Sequence, residues 1–523
     1  TTATGGPLWP TDKNVLIGRE DSFLPRPFNG LIDEVAIYSR ALSASELRSI
    51  VAAGASGMCR PGTTPTTPPG TPPGTPPSAP PIGGSNTIYV PIVRNSFADP
   101  NLGGTWATGL QVFNLDRSRA VNVNVRLLNR SGAQAGIVGL GAIPGNQSRT
   151  LFGTSLSVPD DFTGSAVISG DGPIVVIANQ LVQDLGLSAS YNGVGAPATK
   201  VHVPLVLREV EGMSTALYVQ NTGSTNANQI TITVQPLAGG SPVVMTFSGP
   251  HAPGTTLEAT KQSLAQLGND FQGSAVIESD QPLAVAVNHS NGRSLTASTG
   301  QSVGAGTLYG PLVLNNNGGF GSTVAVQNVG SSSTQVTISV RNSLTGTTLP
   351  AVQRTLAPGA AANVPMNEIV GTDRLVGSVT VSAGSGGSII GLVTQSNPTS
   401  NQATAYTLFS AGSATVFAPL VQTANSGWNT GFQVQNVGSG EVTVTVTVKD
   451  GAGNNVDLVS RPTRTIAPGA SETWFPVTDP FQRVIGSATA TGSTGAQLVG
   501  IVNQINVEFG AVDFFTTYEA ISP

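Results

Sequence analysis

The strongest constraint on this chain is that it repeats itself, because a pattern that resets every hundred-odd residues builds several similar units and not one large core. Four landmarks recur in the same order. A short apolar stretch containing proline reads VPIV, VPLV, GPLV and APLV, with Pro91, Pro204, Pro311 and Pro419 set 113, 107 and 108 residues apart. A strand end follows, LQVFNLD, LYVQNTG, VAVQNVG and FQVQNVG, carrying Asn114, Asn221, Asn328 and Asn436 at intervals of 107, 107 and 108. The third landmark is IPGN, APGT, APGA and APGA, around Gly145, Gly254, Gly359 and Gly469. The fourth is TGSAVI, QGSAVI, VGSVTV and IGSATA, each leading into an apolar strand that ends at Gln180, His289, Gln395 or Gln504.

After each Asn the chain alternates apolar and polar residues in period two: Val121, Val123, Val125; Ile230, Ile232, Val234; Val336, Ile338, Val340; Val442, Val444, Val446, Val448. That period buries one face of a strand and leaves Thr, Asn and Ser on the other. Charged residues are only 10 % and aromatics 5 %, while 64 glycines and 37 prolines supply turns, so short strands are favoured over long helices. The expected class is all-β. About seven strands per unit predict tandem immunoglobulin-like or fibronectin-like β-sandwiches over 86–196, 197–305, 306–412 and 413–523. The recurring Asn is read as a turn former, whose side chain bonds nearby backbone, and the Pro-Gly pair as a second turn.

The start of the chain differs. NGLIDEVAIY, from Asn29 to Tyr38, is a strand with both faces mostly apolar, and SASELRSIVAAG then opens a helix with Ser43 and Glu46 as a capping box and closes it at Gly54. On these residues, and on the IGRED…PFNGLIDEVAIYSRALSASEL run around them, residues 1–60 resemble the C-terminal end of a laminin-G-like, concanavalin A-like lectin/glucanase domain. The resemblance implies an incomplete jelly-roll fragment, with most of such a domain expected upstream, and leaves Cys59 without the partner such domains supply. It implies glycan or calcium binding only through loops of the missing part. Asp33 and Glu34 are adjacent on the strand, point to opposite faces and cannot flank one glycosidic bond. Residues 61–85, PGTTPTTPPGTPPGTPPSAPPIGGS, are a Pro/Thr-rich linker that favours extended polyproline II.

Several function classes lack a basis. Lysine occurs at 13, 200, 261 and 449, so no basic stripe exists to neutralise a run of phosphates and nucleic acid is not an expected partner. No apolar stretch approaches the roughly 18–20 residues of a spanning helix. The first residues, TTATGGPLWP, carry no signal sequence, and a secretion signal is expected upstream or already removed. His202, His251 and His289 fall in one unit at unrelated offsets and no Ser or Cys nucleophile has a motif around it, so no catalytic residue, cofactor or metal ligand is assigned. Asp160, Asp161 and Asp171 form no calcium loop, and Lys200 has no counterpart in the other units with which to argue an isopeptide link.

A large residue stands eight positions before each signature Asn: Trp106, Met213, Phe320 and Trp428. Packing at the end of a sandwich explains a large apolar residue in every copy, and Trp106 and Trp428 are the candidates for a sugar-stacking platform. The units also resemble the repeats of large bacterial secreted and cell-surface proteins. The expected function is therefore that of a non-enzymatic extracellular or cell-surface protein, an adhesion module and stalk of stacked units, with glycans or other surface proteins as partners and self-association open. Two alternatives stand beside it, the accessory region of a large secreted glycoside hydrolase and the subunit of an extracellular filament.

Overall fold

The computed structural model describes residues 85–237, 239–506 and 512–522. The expectations placed on the lectin-like stretch, the linker, Cys59, Asp33 and Glu34 lie outside the described residues. The chain divides into two compact units, 1–76 and 77–523, and the second is the one described below. It is nearly all β and antiparallel, as the alternation predicts; the only α-helix among the described residues is the short Asn367–Val370.

Residues 306–412 show the plan most clearly. Eight strands run Thr307–Asn315, Gly321–Asn328, Thr334–Asn342, Val352–Leu356, Ala361–Pro365, Leu375–Ala383, Ile389–Asn397 and Gln402–Thr407. One sheet orders them first–sixth–third–fourth and the other fifth–second–seventh–eighth. Residues 413–523 repeat this order, with the fourth strand split into Asn455–Val456 and Thr463–Ile466. In 86–196 and 197–305 the sixth and seventh strands are one long strand, Phe162–Val182 and Phe271–Ser290, that passes from one sheet to the other. The sandwich is thus not of the immunoglobulin constant type, whose sheets group strands ABED and CFG. Alternation sets which face of a strand is buried but not which strands pair, so that finer expectation had no physical hold on the order.

Each landmark has a structural task. The prolines sit in a β-bulge of the first strand, where the register slips between Val90 and Val93, Gly310 and Val313, and Ala418 and Val421. The bulge leaves the next residue's carbonyl free, and buried tyrosines take it: Tyr191 bonds Ile92 O at 3.3 Å, Tyr406 bonds Leu312 O at 2.7 Å and Tyr518 bonds Leu420 O at 2.6 Å. Burial pushes all three phenols up from their ordinary value. The signature Asn ties three backbone groups at once. Asn328 donates to Ser332 O at 2.8 Å and Leu356 O at 2.9 Å and accepts from the Gly330 amide at 2.9 Å, and Asn114, Asn221 and Asn436 do the same. The Pro-Gly landmark needs one correction. The amides of Gly254, Gly359 and Gly469 donate to the signature Asn carbonyl, but in the first segment Asn146 does so, at φ 57°, one residue beyond Gly145. Asparagine tolerates that left-handed conformation best after glycine, which is why the turn survives the shift.

The four segments close on themselves. The seventh strand is apolar on both faces, one facing its own core and the other facing the segment before it. Ala286 packs into the core of the first segment, Leu392 against Leu205 of the second, Ile501 into the core of the third and Ile177 into the core of the fourth. These four residues occupy one register position, opposite Tyr218, Ala325, Gln433 and Gln111. Hydrogen bonds repeat the cycle: Ser165 to Gly254 O at 2.9 Å, Ser274 to Gly359 O at 2.9 Å, Ser378 to Gly469 O at 2.5 Å and Ser487 back to Asn146 O at 3.4 Å. A head-to-tail contact that returns to its start after four copies is a closed ring with pseudo-fourfold symmetry. Stacking along a rod, expected from the sequence, is replaced by this ring, because the outward face of every seventh strand needs cover and the last segment covers it for the first.

Candidate functional site

Two features of the ring gather polar chemistry: its axis and the seams between segments. The eighth strands, Leu187–Asn192, Leu295–Thr299, Gln402–Thr407 and Phe515–Glu519, pack against one another in cyclic order around the axis. Asp513, fully buried, lies just before the last of them. Its Oδ2 accepts the Leu295 amide at 2.5 Å, its Oδ1 accepts the Ala403 amide at 2.8 Å, and its carbonyl accepts the Ser188 amide at 2.9 Å. One residue of the fourth segment thereby bonds each of the other three. Glu519 adds a second tie, accepting from the amide and hydroxyl of Thr407, while its carbonyl accepts from Asn192 at 3.0 Å. Burial holds both carboxyls above the usual carboxylate range, Asp513 well above, although the hydrogen bonds they accept pull the other way.

At the seams, the strand-one position three residues after the landmark proline decides what fills the space. In the first segment it is Arg94, whose guanidinium pairs with Asp99 at 2.7 Å, donates to Tyr218 of the second segment at 3.3 Å and lies 4.6 Å from the Trp106 ring centre. A pair of amides completes that seam, Asn288 donating to Gln180 at 2.6 Å. Between the second and third segments the same positions hold Leu207, Ala325, His289 and Thr394. Leu207 is shorter than Arg94, and a cavity of about 400 Å³ lies at this seam. Leu205, Leu207, Val210 and Met213 line one side, and Gln272, Thr323, Asn363 and Thr394 are among its polar lining. Asn363 donates to Gln272 across the seam at 3.2 Å, and its Oδ1 is buried with no partner.

The residues singled out in the sequence are placed as follows. Trp106 is 1 % exposed, covered by Arg94, with its indole N–H bonded to Gly103 O at 2.7 Å, so it presents no face to a sugar. Trp428 is half-buried, its ring 5.8 Å from that of Phe514, and Phe320 sits 5.3 Å from Phe515. His289 lies between Thr296 Oγ1 and Leu205 O, each at 3.2 Å, and burial lowers its pKa to about 4, so it is neutral at ordinary pH. His202 is lowered to about 4 as well, by burial and then by Lys200, and His251 reaches Phe247 O. Lys200 forms an exposed ion pair with Glu278, and Asp171 accepts from Asn122. Among the described residues no three His, Cys, Asp or Glu side chains are grouped to hold a metal ion, and no helix is long and apolar enough to cross a membrane. The axial acids and the Arg94–Asp99 pair were missed in the sequence. Arg94 did carry a signal, as a charge where two other segments have leucine.

With this geometry in view, comparison with known proteins adds one family. Residues 1–48 match the laminin G model of the concanavalin A-like lectin/glucanases superfamily. The match covers the region of the sequence resemblance and not the ring. No curated protein matches the chain. Among solved structures, the crystal structure of Thermotoga maritima 1070 is 22 % identical, covering 20 % of this chain and 93 % of that one, with a TM-score of 0.17. Escherichia coli alpha-2-macroglobulin activated by porcine elastase is 11 % identical over 84 % of this chain and 44 % of that one, with a TM-score of 0.10. Neither likeness is close enough to bear on the fold or on function.

Proposed function

We infer that this chain is a non-enzymatic extracellular binding protein, in which the lectin-like stretch is the end of a recognition domain and the four-segment ring serves as a stable base. The observation that carries the reading is the match of residues 1–48 to a superfamily of lectin and glucanase domains. The ring supports the second half of it. Its recurring polar landmarks are engaged in turns and in bonds between segments, as in Ser165, Ser274, Ser378 and Ser487, and His289 is held neutral inside the protein. Closure also speaks against an open filament built through these faces, since each head already meets a tail within the chain.

The test is binding of the full chain to an array of immobilised glycans and to intact cell surfaces, with release of reducing sugar from the same glycans followed in parallel. Retention on at least one surface class without sugar release is expected. Release of reducing ends would contradict the non-enzymatic reading, and absence of retention on every surface would contradict the adhesive one.

A further inference from the structure

The seam between the second and third segments differs from its counterpart between the first and second in a way that creates space. Between the first and second segments, Arg94, Tyr218, Gln180 and Asn288 interlock as an aromatic, cationic and amide plug, and the pocket left beside it at Asn101, Leu102, Ser214 and Thr215 is smaller, about 220 Å³. Ring closure imposes the same backbone approach at both seams, so the exchange of Arg94 for the shorter Leu207 is not absorbed by collapse of one segment onto the next, whereas Ala325 is covered by Leu205, Leu392 and Ala405. What remains is the cavity of about 400 Å³, within the size range of small-molecule sites.

Its lining selects a class of ligand. Glu211, exposed, is the one charged residue in the lining, so neither an anion nor a strongly cationic group finds a buried counter-charge. Four apolar side chains, Leu205, Leu207, Val210 and Met213, stand on the second segment together with polar ones such as His289 and Thr296, and the third contributes hydroxyls and amides at Thr323, Asn363 and Thr394. Asn363 Oδ1 lacks a donor, and a buried acceptor in that state destabilises the site until one arrives. A molecule with one C–H face and several hydroxyls meets both the apolar patch and the polar groups around it. We propose that this seam binds a small neutral polyol of monosaccharide size, with its apolar face toward Leu205 and Leu207 and a hydroxyl donated to Asn363 Oδ1. The site is separate from the lectin-like stretch and does not depend on the reading given to it.

Saturation-transfer NMR and calorimetry on the full chain, with the methyl glycosides of glucose, galactose, mannose and N-acetylglucosamine as probes, test the proposal. At least one glycoside is expected to bind. Asn363→Ala is expected to weaken it about tenfold, the loss of one well-made hydrogen bond, and Thr394→Tyr to abolish it by filling the space. If Thr394→Tyr alters the unfolding temperature, Gln272→Ala with Asn363→Ala takes its place. No binding by the wild type overturns the proposal. So does binding that survives these variants, an outcome that would move the sugar to residues 1–60 and leave the adhesive reading standing; conversely, failure on the glycan array with seam binding intact would remove only that reading.

Discussion

Replacing Arg94 with alanine is expected to cost about 3–5 kcal/mol of stability, the range found when one partner of a buried ion pair is removed. Both side chains of the Arg94–Asp99 pair are only 3 % exposed, so Asp99 would be left as an uncompensated buried charge. Asp99 also accepts the amides of Asn101 at 2.8 Å and Leu102 at 3.0 Å, which fix the loop leading to Trp106. The guanidinium has a further role as filler, since its carbon lies 5.4 Å from the Phe97 ring centre and 5.5 Å from that of Tyr218 across the seam. The damage would therefore reach the second segment. Arg94→Leu, which copies Leu207 and Leu314, is expected to lose nearly as much while Asp99 remains, and Arg94→Leu with Asp99→Ala to recover most of it. Denaturation midpoints of the four proteins check this. A loss below about 1 kcal/mol for Arg94→Ala would mean that the pair is not desolvated as described.

The second large effect is expected at the axis. Asp513→Ala leaves the amides of Leu295 and Ala403 without an acceptor inside the protein, and two orphaned buried donors cost about 2–6 kcal/mol together. The variant should lose the Asp513 carboxylate ties to the second and third segments while keeping the Ser188 bond to the backbone carbonyl and the Glu519 ties to Thr407. The pH dependence has a definite sign. Burial raises the folded-state pKa of Asp513 well above the unfolded value, so the folded form binds more protons, and the group's contribution to stability falls as pH rises from about 4 through the raised pKa. His289 and His202 act oppositely over an overlapping range. Their folded values of about 4 lie below the ordinary 6.5, so their contribution is present above about 6.5 and is lost as pH falls toward 4. The wild type should accordingly show a flattened profile between these limits. Asp513→Asn, which keeps one acceptor, should be less stable than the wild type but remove Asp513's share of the falling limb, leaving that of Glu519, so that its stability rises more steeply with pH. An unchanged slope in Asp513→Asn, measured by unfolding temperature from pH 4 to 8, would contradict the assignment.

Much of the fold was legible because its signals are local. Period-two alternation at Val336, Ile338 and Val340 needs only neighbouring residues to declare a buried face, and Asn328 declares a turn through groups within a few residues of it. The same landmarks hid the ring. Ile177, Ala286, Leu392 and Ile501 read as ordinary core residues, and nothing in a strand apolar on both faces says whether its second cover comes from its own sandwich or from the next segment. Ser165 and its three counterparts likewise read as small residues beside glycine, although their hydroxyls reach partners roughly ninety residues away or, for Ser487, 341 residues away. The large residue before each Asn was read correctly as packing at Trp106, and only the structure could show that its cover is an arginine. The seam cavity was invisible for a simpler reason. It is lined by residues of two segments, far apart in sequence, that meet only when the segments dock.

The claim on which the account depends is closure, and pulsed dipolar spectroscopy measures it directly. Asn122, Gln229, Gln335 and Thr443 are exposed and occupy one position on the third strand of the successive segments, so spin labels placed pairwise there, in a Cys59→Ser background, report segment separations. A closed ring predicts that the separation from the first to the fourth segment equals that from the first to the second, and that from the first to the third is about 1.4 times longer, as across a square. A separation that grows steadily from second to third to fourth would contradict it and restore a linear array.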